Sequence, residues 1–233
     1  MLNFNVAENR FFRIDYIIQS GGSSINFGSG FSTVAGLTLN GSTVNTNDSR
    51  LQLTNGAKNE AGSVFWNTPI GIQSFTTDFS FQLSSALGDG FTFTIQNTGR
   101  TALGGSGAAL GFTNIKKSVA IKFDLYSNAG EGTDSTGVYT NGALPTVPAI
   151  NMTPSGVLLR SGDSMLAHVT YNGTTLSLKL TDLVNQKSFT FSKAINIPAV
   201  VGAKTAFVGF TGSTGGELAS QKILYWTYVT PTL

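Results

Sequence analysis

The sequence predicts an all-β protein built from two packed antiparallel sheets. Three observations carry this. Short runs alternate apolar and polar residues with a period of two, as in Phe75, Thr77, Phe79 and Phe81. Composition favours strands and turns, with 28 glycines, 17 phenylalanines, abundant Thr, Ser and Asn, and only 11% charged residues. No segment keeps a helical apolar period over a dozen residues. The chain of 233 residues fits one large β domain and is long enough to bury a core without staples.

In chain order, strands are predicted at Leu37–Leu39, Leu51–Leu53, Ser63–Trp66, Ser74–Gln82, Phe91–Gln96, Val119–Asp124 and Gly137–Thr140. Five more follow at Leu166–Tyr171, Thr175–Thr181, Ser188–Ser192, Ala206–Phe210 and Ile223–Tyr228. Asn172-Gly-Thr174 between two of them is a hairpin signal. Phe11–Ile18 reads as an irregular or strand-like entry, so residues 1–24 are set apart as an N-terminal extension of unknown role and residues 25–233 as the β-sandwich. No Pro- or Ser-rich linker and no internal repeat divides the chain.

Composition excludes several function classes. A net charge of +2 with one adjacent basic pair, Lys116-Lys117, argues against a nucleic-acid surface. No apolar run reaches the roughly 18 residues a membrane span needs. The absence of cysteine removes disulfides, thiolate metal sites and cysteine nucleophiles, and suits an external setting. Glu8, Arg10, Arg13 and Asp15 give the start no signal-peptide character. The tripeptides starting at Asn40, Asn47, Asn151 and Asn172 fit the glycosylation pattern, but chance supplies such matches in a chain of this composition.

The most informative stretch is Val119–Asn128 with Glu131 and Asp134 beyond it. Val119, Ile121 and Phe123 alternate with Ala120, Lys122 and Asp124, which puts Asp124 on the polar face at the strand end. Asn128, Glu131, Asp134 and free carbonyls follow, the oxygen donors that a hard cation such as calcium takes in sets of about six to eight. Ordinary turn residues account for the same pattern equally well. Glycine concentrates at Gly88-Asp-Gly90, Gly104-Gly105-Ser-Gly107 and Gly212–Glu217, and none of these matches a phosphate-binding loop.

Leu51-Gln-Leu-Thr54, Ala61–Pro69, Ser74–Phe81, Gly88-Asp-Gly-Phe-Thr-Phe93, Leu110-Gly-Phe112, Ala120-Ile-Lys-Phe-Asp124, Val208-Gly-Phe210 and Ile223–Tyr228 occur in one order. On these segments the chain resembles the legume (L-type) lectin domain, in particular its bacterial members, over residues 25 to 230. The resemblance implies a concanavalin A-like jelly-roll sandwich with two large sheets and a small top sheet. It also implies a sugar site in loops beside a calcium ion. Asp89 matches the aspartate that accepts from sugar hydroxyls after a cis peptide, here Gly88–Asp89. Gly107, or Gly105 if the loop is shifted, matches the glycine whose NH donates to sugar. Asp124, the Tyr126 carbonyl, Asn128 and Asp134 match the calcium ligands, with Glu131 an alternative to Asp134. Asn128 also faces the sugar, and Gly216 and Glu217 fall in the variable specificity loop. The Tyr126 ring could cover the apolar face of a sugar, or serve as an ordinary core or edge tyrosine.

The chain departs from the family pattern at Lys122, which stands where a glutamate binds a transition metal, and no histidine lies near. Residues 122 and 124 share a face roughly 6.6 Å apart. The expectation is that the Lys122 ammonium replaces the metal and neutralises Asp124 and Asp134, against the rival that it points to solvent. The expected function is therefore that of a calcium-dependent lectin, extracellular or at the cell surface, with glycans as partners and homo-oligomer formation left open. Its rivals are a structural or adhesive sandwich without sugar binding and a glycoside hydrolase. Hydrolysis needs two carboxylates about 5–9.5 Å apart, and Lys122 occupies the place of one. The lone His168, on a strand with no acid nearby in sequence, offers no triad.

Overall fold

The computed structural model describes residues 23–231. The predicted Phe11–Ile18 entry and most of the N-terminal extension lie outside them. Sixteen strands follow in order: β1 (Ser24–Phe27), β2 (Leu37–Gly41), β3 (Val44–Asn45), β4 (Leu51–Asn55), β5 (Ala61–Trp66), β6 (Ile70–Gly71), β7 (Phe75–Ser84) and β8 (Gly90–Gln96). Then come β9 (Ser118–Asp124), β10 (Ser135–Thr140), β11 (Ile150–Asn151), β12 (Ser164–Tyr171), β13 (Thr175–Asp182), β14 (Ser188–Ala194), β15 (Thr205–Ser213) and β16 (Ser220–Val229). One short helix, α1 (Ile197–Val201), is capped by Asn196, whose side chain accepts from the Ala199 amide.

These strands form two eight-stranded antiparallel sheets. The first runs β14-β13-β12-β7-β16-β4-β3, with β1 also on β16; the second runs β11-β10-β9-β8-β15-β5-β2, with β6 also on β15. Every predicted strand is present. The Asn172 hairpin closes as expected, its side-chain oxygen accepting from the Thr174 and Thr175 amides.

Strand alternation explains the core. From β7, Phe75, Phe79 and Phe81 turn inward, and from the facing sheet come Phe91, Phe93, Phe123 and Phe210, all buried. Phe79 lies at the centre, its ring 5.0–6.5 Å from those of Phe81, Phe91, Phe93, Phe123 and Phe210. Offset and edge-on aromatic pairs of this kind add to the apolar burial that drives folding. Trp226 sits on Phe210 at 5.1 Å, and its indole NH donates to the Thr77 hydroxyl 3.0 Å away.

The second sheet is buried on its other face as well. All seven residues of β9 are buried, including Lys122 and Asp124. Loops cover that face: Phe112 packs with Ala120 and Tyr139, and Thr211 donates to the Leu110 carbonyl at 2.7 Å. This covering is what gives the polar residues of β9 an interior to occupy.

Candidate carbohydrate site

Register brings the site together. Gly90, the first residue of β8, pairs with Asp124 at the end of β9 and with Ser213 at the end of β15. The loops entering or leaving these three strands therefore meet at one end of the second sheet. Gly90 is required there: a Cβ would stand 2.2 Å from the Phe123 carbonyl oxygen, and its φ is +153°.

Asp89 lies just before this crossing. It is 5% exposed, and its Oδ2 has no hydrogen-bond partner among the described residues. The peptide before it, Gly88–Asp89, is cis. Its backbone is tied on both sides: the Leu125 amide donates to the Asp89 carbonyl at 2.6 Å, and the Asp89 amide donates to the Ser213 carbonyl at 3.4 Å. Burial pushes the Asp89 carboxyl above the usual range, and the nearby Glu217 charge adds to that. The nearby Gly215 amide opposes the shift without making a hydrogen bond to Oδ2.

The glycine loops close around this carboxylate. The Gly107 amide donates to the Thr214 carbonyl at 3.0 Å, and the Ser213 hydroxyl donates to the Gly107 carbonyl at 2.8 Å. A Cβ on Gly215 would lie 2.9 Å from Asp89 Oδ2 and 3.1 Å from the Gly107 Cα. Gly107, rather than Gly105, is thus the glycine beside Asp89 and Gly215. Gly216 and Glu217 are exposed on the same loop. The Tyr126 ring is 40% exposed and flanks Gly88, where a Cβ would sit 3.3 Å from the ring and 3.2 Å from the Glu217 Cβ. The mouth of the site is therefore an ionisable acceptor, the glycine backbone of two loops and an aromatic edge.

Behind it lies a buried charge cluster. Lys122 is wholly buried; its ammonium is 2.8 Å from Asp124 Oδ2, 3.9 Å from Glu131 Oε1 and 2.9 Å from the Thr146 carbonyl, and 5.5 Å from the centre of the Tyr139 ring. Asp124 Oδ1 accepts from the Tyr126 amide at 3.1 Å. Burial pushes the Asp124 carboxyl up to about 6, against the lowering effect of Lys122. Lys122 thus does not point to solvent, and the second carboxylate beside it is Glu131 where the sequence expectation had Asp134. The reason is strand alternation. Ser135 pairs with Asp124 and shares its face, which turns Asp134 away. Asp134 Oδ1 instead accepts from the Arg160 amide at 3.2 Å, and Oδ2 from the Thr133 hydroxyl at 3.3 Å.

One carboxylate of this cluster keeps an unpartnered oxygen. Glu131 is buried; its Oε2 accepts from the Ala129 amide, whereas Oε1 has no hydrogen-bond partner among the described residues. The Asn128 side chain is exposed on the same loop. No three His, Cys, Asp or Glu side chains converge among the described residues. A cation here would need the Tyr126 carbonyl and the Asn128 amide oxygen besides Asp124 and Glu131, a set typical of calcium.

Sequence reasoning missed Thr146, Tyr139 and Arg160. The first two lie on β10 and the loop after it, where no pattern announces a contact with Lys122. Arg160 interrupts the apolar run Val157-Leu-Leu-Arg, a visible signal in a chain so poor in charge.

Residues 24–231 match the legume lectin domain family. The chain belongs to that family. Favin from Vicia faba is 29% identical over 207 residues, covering 79% of this chain and 85% of favin. The L-type lectin-domain containing receptor kinase I.7 of Arabidopsis thaliana is 30% identical over 207 residues, 76% of this chain but only 30% of the kinase. Among solved structures, a Bauhinia forficata lectin in complex with GalNAc superposes with a TM-score of 0.77 at 24% identity, over 91% of this chain and 100% of that one. Arcelin-5, a lectin-like defence protein from Phaseolus vulgaris, gives 0.75 at 20% identity over 92% and 100% of the two chains. These similar proteins are from plants, and the narrower likeness to bacterial members has no support among them. Legume lectins bind carbohydrate and are not enzymes, so the chain is a carbohydrate-binding protein and the hydrolase alternative falls.

Proposed function

We propose that this legume lectin domain binds the hydroxyls of a glycan at Asp89, in the mouth formed by the Gly88–Gly90, Gly104–Gly107 and Gly212–Glu217 loops, and that one calcium ion supports the site. The observation that carries the reading is the buried Asp89 carboxylate with an unpartnered Oδ2, flanked by Gly215, whose lack of a side chain keeps a Cβ from standing 2.9 Å from that oxygen. A buried polar atom without a partner is costly unless a ligand completes it. A sugar supplies that completion: its paired hydroxyls donate to the carboxylate, its oxygens accept from the backbone amide of Gly216, and its apolar ring face lies against Tyr126, while the Gly107 amide, bonded to the Thr214 carbonyl, holds the loop in place. Glu217, exposed at the rim, is placed to touch substituents further out on the glycan.

Calcium would be held by Asp124, the Tyr126 carbonyl, Asn128 and Glu131; the unpartnered Glu131 Oε1 favours Glu131 over Asp134 as the fourth donor. Its charge would fix the Asp124–Glu131 loop, and with it Tyr126 and Asn128, against the loop of Asp89. Lys122 takes the place of a second, transition-metal ion, because its ammonium already sits on Asp124 and beside Glu131. Legume lectins are secreted, and among the described residues no helix is long and apolar enough to cross a membrane; this lectin is read as acting outside the cell or at its surface.

A glycan array run in calcium and again in EDTA tests the reading. Binding in calcium that EDTA abolishes is the expected result. Glycan binding unchanged by EDTA would remove calcium from the account. An array blank in both conditions would favour a sandwich that has kept the fold and lost its sugar.

A further inference from the structure

Arg160 lies outside the residues just assigned, in a 3-10 turn (Leu159–Ser161) between β11 and β12. Its guanidinium reaches two carbonyls from distant parts of the chain. Nε donates to the Leu125 carbonyl at 3.0 Å, and one terminal nitrogen donates to that same carbonyl and to the Leu87 carbonyl at 3.0 Å. Leu87 immediately precedes Gly88-Asp89, and Leu125 stands between Asp124 and Tyr126. The arginine itself is anchored from behind by Leu159, which is buried, and by its own amide on Asp134 Oδ1. Among the described residues it forms no ion pair.

An arginine without a carboxylate, spending its planar fork on two backbone carbonyls, is doing geometric work. A lysine, with a point charge on a flexible stem, could not hold both at fixed angles. The β8–β9 ladder brings Gly90 opposite Asp124, and beyond it the Leu125 amide on the Asp89 carbonyl is the last backbone bond between these two segments among the described residues. The guanidinium adds an attachment past that end of the ladder, where the two loops would otherwise diverge.

We propose that Arg160 is a positioning residue of the carbohydrate site: its guanidinium clasps the loop carrying Asp89 to the loop carrying Asp124, Tyr126 and Asn128. It touches neither sugar nor cation and acts through the two loops it joins. The effect on sugar binding rests on the function proposed above; the clasp itself does not.

Hydrogen exchange of the cation-free protein reads the clasp without any ligand. In Arg160→Ala, the Leu87 and Leu125 amides, bonded to the Leu218 and Asp89 carbonyls, are expected to exchange at least tenfold faster. The Ile121 and Val169 amides of the core strands should keep their rates. Equal acceleration at all four would mean a merely structural arginine, and unchanged rates at Leu87 and Leu125 would overturn the proposal outright. Calorimetry in saturating Ca²⁺, with methyl α-galactoside, methyl α-mannoside and methyl α-glucoside as probes, gives the second reading. For whichever probe the wild type binds, the variant should show a dissociation constant raised at least tenfold at unchanged stoichiometry. Millimolar guanidinium should restore part of the loss, and Arg160→Lys should not. A fall in stoichiometry at constant affinity would again mean a lost fold. If the wild type binds none of the probes, the lectin reading is in difficulty while the exchange experiment still decides the clasp.

Discussion

Two buried side chains carry opposite obligations at this site. Asp89 is an acceptor left open, and Lys122 is a cation fully closed off. Asp89→Asn keeps the shape but replaces a charged acceptor with an amide, and should weaken sugar binding at least a hundredfold while leaving the melting temperature within about 2 °C, since the isosteric change removes no hydrogen bond made by Oδ2 within the described residues. Calorimetry with differential scanning on the same samples checks both. Because burial raises the Asp89 carboxyl, and the ionised form is the one that accepts, acidification should remove sugar affinity at a higher pH than an ordinary aspartate would allow. Titrating affinity against pH in saturating calcium measures this, and a loss confined to the usual carboxylate range would contradict it. Lys122→Met leaves Asp124 and Glu131 facing each other in a buried cluster without their ammonium. Breaking one partner out of such a pair costs about 3–5 kcal/mol, measurable by chemical denaturation in EDTA. Asp124 and Lys122 were legible in the sequence because alternation along β9 puts them on one face, whereas Asp89 was singled out only by the resemblance to legume lectins, Gly88-Asp-Gly90 alone reading as a turn. Glu131 was open until Ser135 was seen opposite Asp124, since a loop without periodicity does not say which of its acids turns inward.

At the level of elements, the site exists because three strand ends are level. The pairings Gly90–Asp124 and Gly90–Ser213 set Asp89 between the cation loop and the variable loop, and a one-residue slip of β8 would send Asp124 and Lys122 to the other face of their sheet relative to it. Gly90→Ala should force such a shift, because its Cβ would meet the Phe123 carbonyl at 2.2 Å on a backbone at φ +153°. The expected cost is about 3 kcal/mol or more, from overpacking combined with an unfavourable φ, together with loss of sugar binding; urea melts and calorimetry read the two effects. The long strands were legible from their period of two. β3, β6 and β11 were not, being two residues each, too short for any alternation to show; β1 lies at a sheet edge and carries one four-residue signal, Ser-Ile-Asn-Phe, buried at every second position. The 3-10 turn that presents Arg160 is set by Leu159 packing and by Asp134, both tertiary effects with no local signature. For the same reason the partners of Lys122 on the β10–β11 connection could not be read in advance.

Over the whole molecule, folding and recognition draw on different residues. The phenylalanine cluster around Phe79 fills the space between the sheets, whereas Asp124 at the very end of β9, and Asp89, Asn128 and Glu131 in the loops beyond, contribute nothing apolar to it. The cluster of Lys122, Asp124 and Glu131 carries one ammonium for two carboxylates, so a cation is attracted, yet the sandwich does not depend on it for its core. Chelation should therefore silence sugar binding and leave the far-UV circular dichroism of a β protein intact. Calcium present at a hundred times its dissociation constant adds about 2.7 kcal/mol to the folded state, which for a domain of this size corresponds to a rise of about 5–10 °C in Tm. A thermal melt in EDTA and in calcium decides the matter. Collapse of the sheet signal on chelation would place the cation within the folding core, contrary to the separation seen here, and an unchanged Tm at millimolar calcium would mean that the ammonium of Lys122 has made the site complete without a divalent ion.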